Sequence, residues 1–292
     1  MMTESELPAL DERVLWRKSL PFFLVHLAPI GLFWTGLRWR DALLVAALYF
    51  GRMFFITAGF HRYFAHRAYK TSRAMQFVLA VGGSTACQKG VLWWAAHHRA
   101  HHRYSDTELD IHSPRRGFWW SHVGWILGRK YQATDWAKIR DFAKYPELVW
   151  LNRYHLVPGI ALGSACYLLG GWRGLWMFFL STVLLYHGTF SINSLMHLWG
   201  RQRYVTHDTS RNSFLLAVIT MGEGWHNNHH YYQSTANQGF FWWELDVSYY
   251  ILEVLSWLGL VWGLRKPPPR VLAASRTRAR TDYPTLTVEG KS

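Results

Sequence analysis

The chain has 292 residues, room for one large domain or two small ones, and its 32 Lys and Arg against 18 Asp and Glu leave a net charge of +14. That balance suits nucleic acid or an anionic lipid surface, and the first loses support because no nucleic-acid-binding module is recognisable. With only two cysteines, Cys87 and Cys166, a disulfide framework, a Cys-based zinc site and a Cys-held iron–sulfur cluster are all excluded.

In chain order, Met1 to Lys18 is polar and lacks the apolar stretch of a signal peptide. Four apolar segments stand out, Leu20 to Leu37, Ala42 to Ala58, Leu156 to Gly171 and Leu175 to Leu198. Each is close to the length that crosses a hydrocarbon core of about 30 Å. The short links Arg38–Asp41 and Trp172–Gly174 pair them into two hairpins. Between the pairs, His61 to Arg153 carries fifteen Lys and Arg, whereas each link carries one or two. By the positive-inside rule, that loop, both termini and every histidine cluster are cytoplasmic. The 18 Trp, 15 Tyr and 17 Phe fit a membrane interface.

The expected fold is therefore all-α: four transmembrane helices in two hairpins with a cytoplasmic helical cap, residues 1–264 forming one domain. The alternative is a soluble protein whose apolar runs are core helices. A mean hydropathy of −0.07 favours it, although a large polar cap lowers any average. Ser72 to Ala96 reads as an interfacial helix interrupted by Gly82, Gly83, Gln88 and Lys89, and Phe240 to Leu264, with Glu244, Asp246 and Glu253, as a surface-lying helix. The basic tail 265–292 opens with Lys266-Pro267-Pro268-Pro269 and is expected to be disordered.

Of sixteen histidines, eight fall in three clusters: His61-Arg-Tyr-Phe-Ala-His66, His98-Arg-Ala-His101-His102 and His226-Asn-Asn-His229-His230. In the last two, positions i, i+3 and i+4 share a helical face, so three imidazoles can enter one volume. His61 and His66 are roughly 140° apart on an α-helix and converge only if a helix ends or kinks between them. Neutral imidazole is a ligand for iron, zinc, copper or nickel, and eight of them exceed one coordination sphere, so two metals are implied. Carboxylate di-iron bundles use paired Glu-x-x-His motifs. Here Glu223-Gly-Trp-His226 is a single match, and Glu223 reads as an acceptor that orients a ligand imidazole.

The three clusters, their order around paired spans, and the stretches Gly117-Phe-Trp-Trp-Ser-His-Val-Gly-Trp125, Asn193-Ser-Leu-Met-His197 and Gly222-Glu-Gly-Trp-His226 resemble membrane fatty-acid desaturases of the stearoyl-CoA type over roughly Tyr49 to Leu264. The resemblance implies two irons held by nine histidines, the eight in the clusters plus His197, with Asn193 near one metal through water. His26, His97, His112, His122, His155, His187 and His207 fall outside that pattern. It implies O2 as co-substrate and two external electrons, which form a cis double bond, at Δ9, in a saturated acyl chain. It also implies a bent tunnel with Gln88, Trp94 and Thr189 at its kink and Tyr49 and Met53 at its closed end.

The animal acyl-CoA branch has an Arg-Asp pair where this chain has Ala96-His97, which raises an acyl-lipid substrate beside the acyl-CoA that the reading leans to. A hydroxylase on the same scaffold is the near alternative, and a metal-handling membrane protein the remote one. Electrons are expected from a separate cytochrome b5-, ferredoxin- or rubredoxin-like partner. The basic face with Arg103, Arg115, Arg116, Arg129 and Lys130 would steer it or contact anionic lipid. The expected location is a bacterial inner membrane, spanned several times.

Overall fold

The computed structural model describes residues 13–274. Helix α1 (Trp16–Leu27) passes through a 3₁₀ turn over Ala28–Gly31 into α2 (Leu32–Thr35). Pro29 stands at the start of that turn and cannot donate the amide a continuous helix needs. The expected first span is thus a broken rod. The chain reverses at Gly36 (φ +66°) and enters α3 (Trp39–Phe54), where Asp41 Oδ2 accepts from the backbone N–H of Arg38 at 2.7 Å.

α3 continues without a break into a π-helical stretch, Phe55–Ala65. Its i→i+5 bonds place residue i+5 one turn above residue i, and the N–H of His66 donates to the carbonyl of His61 at 3.2 Å. The first cluster converges by widening the helix, where a kink or an end was expected.

After β1 (Lys70–Thr71) come α4 (Arg73–Ser84), capped by Ser72, and α5 (Val91–Tyr104). The single interfacial helix expected over Ser72 to Ala96 is two helices. The loop between them holds Cys87 (φ +56°) and Lys89 (φ +70°) in the left-handed region, which ends any helix. A π turn over Trp120–Gly124, α6 (Trp125–Leu127), α7 (Arg140–Ala143) and α8 (Pro146–Arg153) complete the central segment.

α9 (Val157–Asn193) is broken at Gly171, whose φ of +58° and ψ of −152° reverse the chain. A straight helix would hold residues 163 and 178 about 22 Å apart. A Cβ built on Gly163 would instead lie 3.1 Å from the Phe178 ring, so the two arms fold against each other. Two helices of the described residues are long and apolar enough to cross a membrane, Trp39–Ala65 and Val157–Leu198, the second being this hairpin.

Short elements follow: α10 (Leu195–Leu198), α11 (Phe214–Ile219) and α12 (His226–Tyr231). The surface helix expected over Phe240 to Leu264 is the shorter α13 (Val247–Trp257), capped by Asp246. β2 (Val261–Trp262) then pairs antiparallel with β1, Lys70 opposite Trp262, and ties this end of the chain to the first histidine cluster. The start of the tail is placed as well. α14 (Pro269–Ala274) buries Val271 against Tyr204 and Phe240, and the Arg265 N–H donates to the Ala68 carbonyl at 3.1 Å. The disorder expected for 275–292 lies outside the described residues. Ile56, Phe60, Phe64, Leu79, Leu92, Phe142 and Leu148 form the main core, where α3 and its π stretch meet α4, α5 and α8 and anchor the histidine-bearing ends.

Candidate metal centre

The structure sorts nine histidines into two groups. His61, His66, His98, His102 and His229 form one, and His101, His197, His226 and His230 the other, with ligand atoms inside each within 4.8 Å of one another. Helical periodicity explains the division. His98 and His102 lie one turn apart on α5 and face the first group, while His101 turns to the second. On α12, His226 and His230 pair in the same way and His229 crosses over. The expectation that each triplet fills one volume is corrected: each helix serves both groups.

In the first group the Nε2 atoms of His66 and His98, His98 and His102, and His102 and His229 lie 2.9 Å apart, and those of His61 and His229 3.0 Å. Two nitrogens at right angles on one ion, with bonds of about 2.0–2.1 Å, would stand about 2.9 Å apart. In the second group the Nε2 atoms of His197 and His226 are 3.2 Å apart, and those of His101 and His230 are buried without any hydrogen-bond partner. Buried lone pairs that converge in this way fit metal ions.

Electrostatics favour the neutral, ligating form at most of these imidazoles, whereas at His101 burial is outweighed by Asp110, which raises it above the ordinary value. Burial first, then the neighbouring imidazoles, holds His98, His102, His226 and His229 well below the ordinary histidine value. Burial also brings His230 down to about 4 against the opposing pull of Asp208. Carboxylates hold the other ring nitrogen of four of the nine. Nδ1 of His61 lies 2.6 Å from Glu223, that of His101 2.9 Å from Asp110, that of His197 3.1 Å from Asp106, and that of His230 2.7 Å from Asp208. Burial alone would raise Asp106, but His197 and the Thr209 hydroxyl and N–H outweigh it and take the carboxyl to about 2. Such contacts fix the tautomer that presents Nε2 to a metal.

Sequence reasoning reached Glu223 but missed Asp106, Asp110 and Asp208. It also missed Arg62, which is fully buried and donates to Glu223 at 3.0 Å and to Asp246 at 2.9 Å. The two asparagines of the third cluster are structural. Asn227 accepts from the N–H groups of Arg203 and Tyr204, both at 2.7 Å, and Asn228 accepts from Asn212 at 2.7 Å.

Of the seven histidines set aside as non-ligands, all but His112 lie outside every group that holds any of the nine. His97 stacks on Trp93, and His26, His187 and His122 run in a line of ring-nitrogen contacts of 3.2 and 3.0 Å. His155 and His207 join neither group, and His112 lies in a third grouping with His101 and Asp110.

Beside the metal groups opens a cavity of about 900 Å³, within the usual range of ligand pockets. Gln88, Trp94, His98, Thr189 and Asn193 line it. The Gln88 amide donates to the Thr189 hydroxyl at 3.0 Å, and Trp94 stacks on His98 with ring centroids 4.9 Å apart. Tyr49 and Met53 are not among the lining residues. Both pack against Gly188, one position before Thr189, and the Tyr49 hydroxyl donates to the Ile219 carbonyl at 3.0 Å. Near the Gly171 reversal the cavity is lined instead by Tyr167, Leu168, Trp172 and Leu175.

Fold and site together define a helical protein whose histidine-rich end can hold metal ions beside an elongated, largely apolar cavity. The fatty acid desaturase family model matches residues 16–263. The sn-2 palmitoyl-lipid 9-desaturase of Nostoc sp. (strain 36) is 38% identical over 221 residues, 74% of this chain and 78% of that protein. Delta-9 acyl-lipid desaturase 1 of Arabidopsis thaliana is 36% identical over 249 residues, 84% of this chain and 80% of that one. The Acyl-CoA C20 Delta5-desaturase of Anemone leveillei is 36% identical over 237 residues, 78% and 75%. The chain belongs to the fatty acid desaturase family and is an oxidoreductase.

Proposed function

We propose that this enzyme uses O2 and two external electrons to place a cis double bond, at Δ9, in a saturated acyl chain. The observation that carries this reading is the wall shared by Trp94, His98, Thr189 and Asn193, where an apolar cavity meets the metal groups. An unactivated methylene has no acidic proton, so acid–base chemistry cannot remove its hydrogens. Two iron ions, held by the nine histidines with Asn193 near one of them, would supply the O2-dependent hydrogen removal. The protein's own part is placement: the Gln88–Thr189 hydrogen bond and the Trp94 ring hold one segment of the chain, and apolar walls exclude water.

The same reading puts the chain in a membrane with four crossing segments in two hairpins, 16–35 with 39–65 and 157–170 with 172–198. Phe33 and Trp34 are 90% and 86% exposed, and Leu168 and Leu169 81% and 91%. Water does not favour such patches, whereas a bilayer does. The basic central segment then faces the cytoplasm and a separate cytochrome b5-, ferredoxin- or rubredoxin-like donor.

Relatives named for lipid-linked and for CoA-linked chains both occur, so the family alone does not fix the head group. The test is expression in a host without its own desaturase, with lipid profiling by mass spectrometry that locates double bonds. New Δ9 monoenes are expected, dependent on iron. A hydroxylated product, or no new product with iron and electron donor supplied, would overturn the reading.

A further inference from the structure

One end of the acyl cavity is cationic, and neither the metal groups nor double-bond formation requires it. Lys18, at the start of α1, and Lys89, in the loop between α4 and α5, both line this end, beside Gln132 and His155. Lys89 is half-buried and built into place. Its backbone sits at φ +70°, its ammonium donates to Gln132 Oε1 at 2.6 Å, and it lies 5.8 Å from the centroid of the Trp93 ring. Gln132 is itself fixed, since its amide donates to the carbonyls of Ile126 at 2.9 Å and Gly128 at 2.7 Å. That leaves the amide oxygen facing the lysine. A left-handed backbone for a residue with a side chain is uncommon and marks a position the surroundings impose.

Among the described residues neither lysine has a carboxylate within ion-pair distance, and Asp135, acidic and nearby in the chain to Gln132, is taken by Lys138. Burial first, and then the positive field of Lys18, lowers the Lys89 pKa, the direction expected where two ammonium groups share a site with no counter-charge. A partly buried cation without a counter-charge is unfavourable until an anion arrives. Both groups border a cavity whose remaining wall is largely apolar, so the anion must be attached to an apolar body.

An acyl chain held as an ester or thioester has no free carboxylate. The negative charge available on such a molecule is phosphate in the head group. Resting on the acyl-desaturase reading above, we infer that Lys18 and Lys89 form a phosphate subsite at the mouth of the acyl cavity, which recognises the head group carrying the chain. That phosphate belongs either to a phospholipid or to a soluble thioester carrier. The ammonium groups act as point charges on it.

The test measures ligand binding to the full-length protein as purified, in neutral detergent and without an electron donor, so it stands apart from double-bond formation. Three probes share the C16 acyl chain: palmitoyl lysophosphatidate, palmitoyl-CoA and monopalmitoylglycerol. Lys89→Gln and Lys18→Gln are each expected to weaken binding of a phosphate-bearing probe by roughly tenfold, about 1.4 kcal/mol. Monopalmitoylglycerol binding stays unchanged, and Lys89→Arg retains most of the affinity. Loss confined to lysophosphatidate assigns the phosphate to a phospholipid, and loss confined to palmitoyl-CoA assigns it to the soluble carrier. Lys18 is exposed, so its variant carries the test even where Lys89→Gln does not fold. Unchanged affinity for both phosphate-bearing probes, or an equal loss for monopalmitoylglycerol, would overturn the inference while leaving the desaturase reading intact.

Discussion

Glu223 Oε2 lies 2.6 Å from Nδ1 of His61, and Oε1 of the same carboxylate accepts from Arg62, the next residue in the chain. A side chain three residues before the third cluster thus holds two consecutive residues of the first. Arg62 and its other partner, Asp246, are buried with it, so Glu223 keeps its charge in spite of full burial. Burial alone would raise the carboxyl, and His61 followed by Arg62 brings it below the ordinary value. Glu223→Gln keeps the shape and removes the charge. It is expected to lower metal affinity about 10–100-fold, as loss of an orienting carboxylate does, read by competition with a chelator of known affinity. An affinity equal to the parent's would show that packing alone holds His61 in place.

The division of the nine histidines predicts metal stoichiometry. His102→Ala removes a ligand of the five-histidine group, and His230→Ala one of the four-histidine group. Each variant, and likewise His101→Ala, His197→Ala and His229→Ala, is expected to abolish desaturation. His230→Ala should retain one tightly bound metal of two, measured by elemental analysis after gel filtration. His155→Ala, outside both groups, should retain two metals and full activity. If His230→Ala still holds two ions, the four-histidine group is not a separate site.

How much of this was legible in the sequence depended on range. The clusters are local, with spacings of three to five residues, and a helix of known pitch turns them into shared faces. The orienting carboxylates are not local: Asp208 and His230 are 22 positions apart, and Asp106 and His197 91. No spacing rule marks Asp106 or Asp110 among ordinary polar residues after the second cluster. The π stretch was legible only as a contradiction, because His61 and His66 could not converge on an α-helix and the sequence does not say how the helix gives way. Of the apolar runs, Leu20 to Leu37 had the composition of a span, but Pro29 divides it. Composition alone did not weigh that residue.

Gly222 offers a test of the turn that presents the third cluster. Its φ is +121°, and a Cβ there would meet the Asp246 carboxylate and lie 2.9 Å from Nη2 of Arg62. Gly222→Ala therefore combines backbone strain of about 1–3 kcal/mol with displacement of the buried ion pairs. A lower midpoint of thermal unfolding and weaker metal binding are expected together. Gly51, in α3, has nothing within 4 Å of its would-be Cβ. Gly51→Ala should stabilise by about 0.5–1 kcal/mol through helix propensity, and equal effects of the two substitutions on thermal unfolding would refute the strain argument.

Chain-length selectivity separates two placements of the acyl terminus. The resemblance to desaturases implies a closed end at Tyr49 and Met53, whereas the cavity is lined by Tyr167, Leu168, Trp172 and Leu175 near the Gly171 reversal. Met53 is fully buried and packs against Gly188, one position before Thr189 on the cavity wall. If the acyl end lies near the reversal, Leu175→Trp fills the space taken by the last methylenes. Overpacking of about 1–3 kcal/mol then favours C16 over C18 by roughly tenfold, at about 1.4 kcal/mol per decade. On the same placement Met53→Ala creates a closed void, costs about 2–5 kcal/mol of stability, and leaves the C16-to-C18 ratio unaltered. The readout is the product ratio from an equimolar mixture of the two chain lengths, with double-bond position located in each. A shift toward C18 in Met53→Ala, with Leu175→Trp unchanged, would place the end of the chain behind Gly188, where the resemblance implies it.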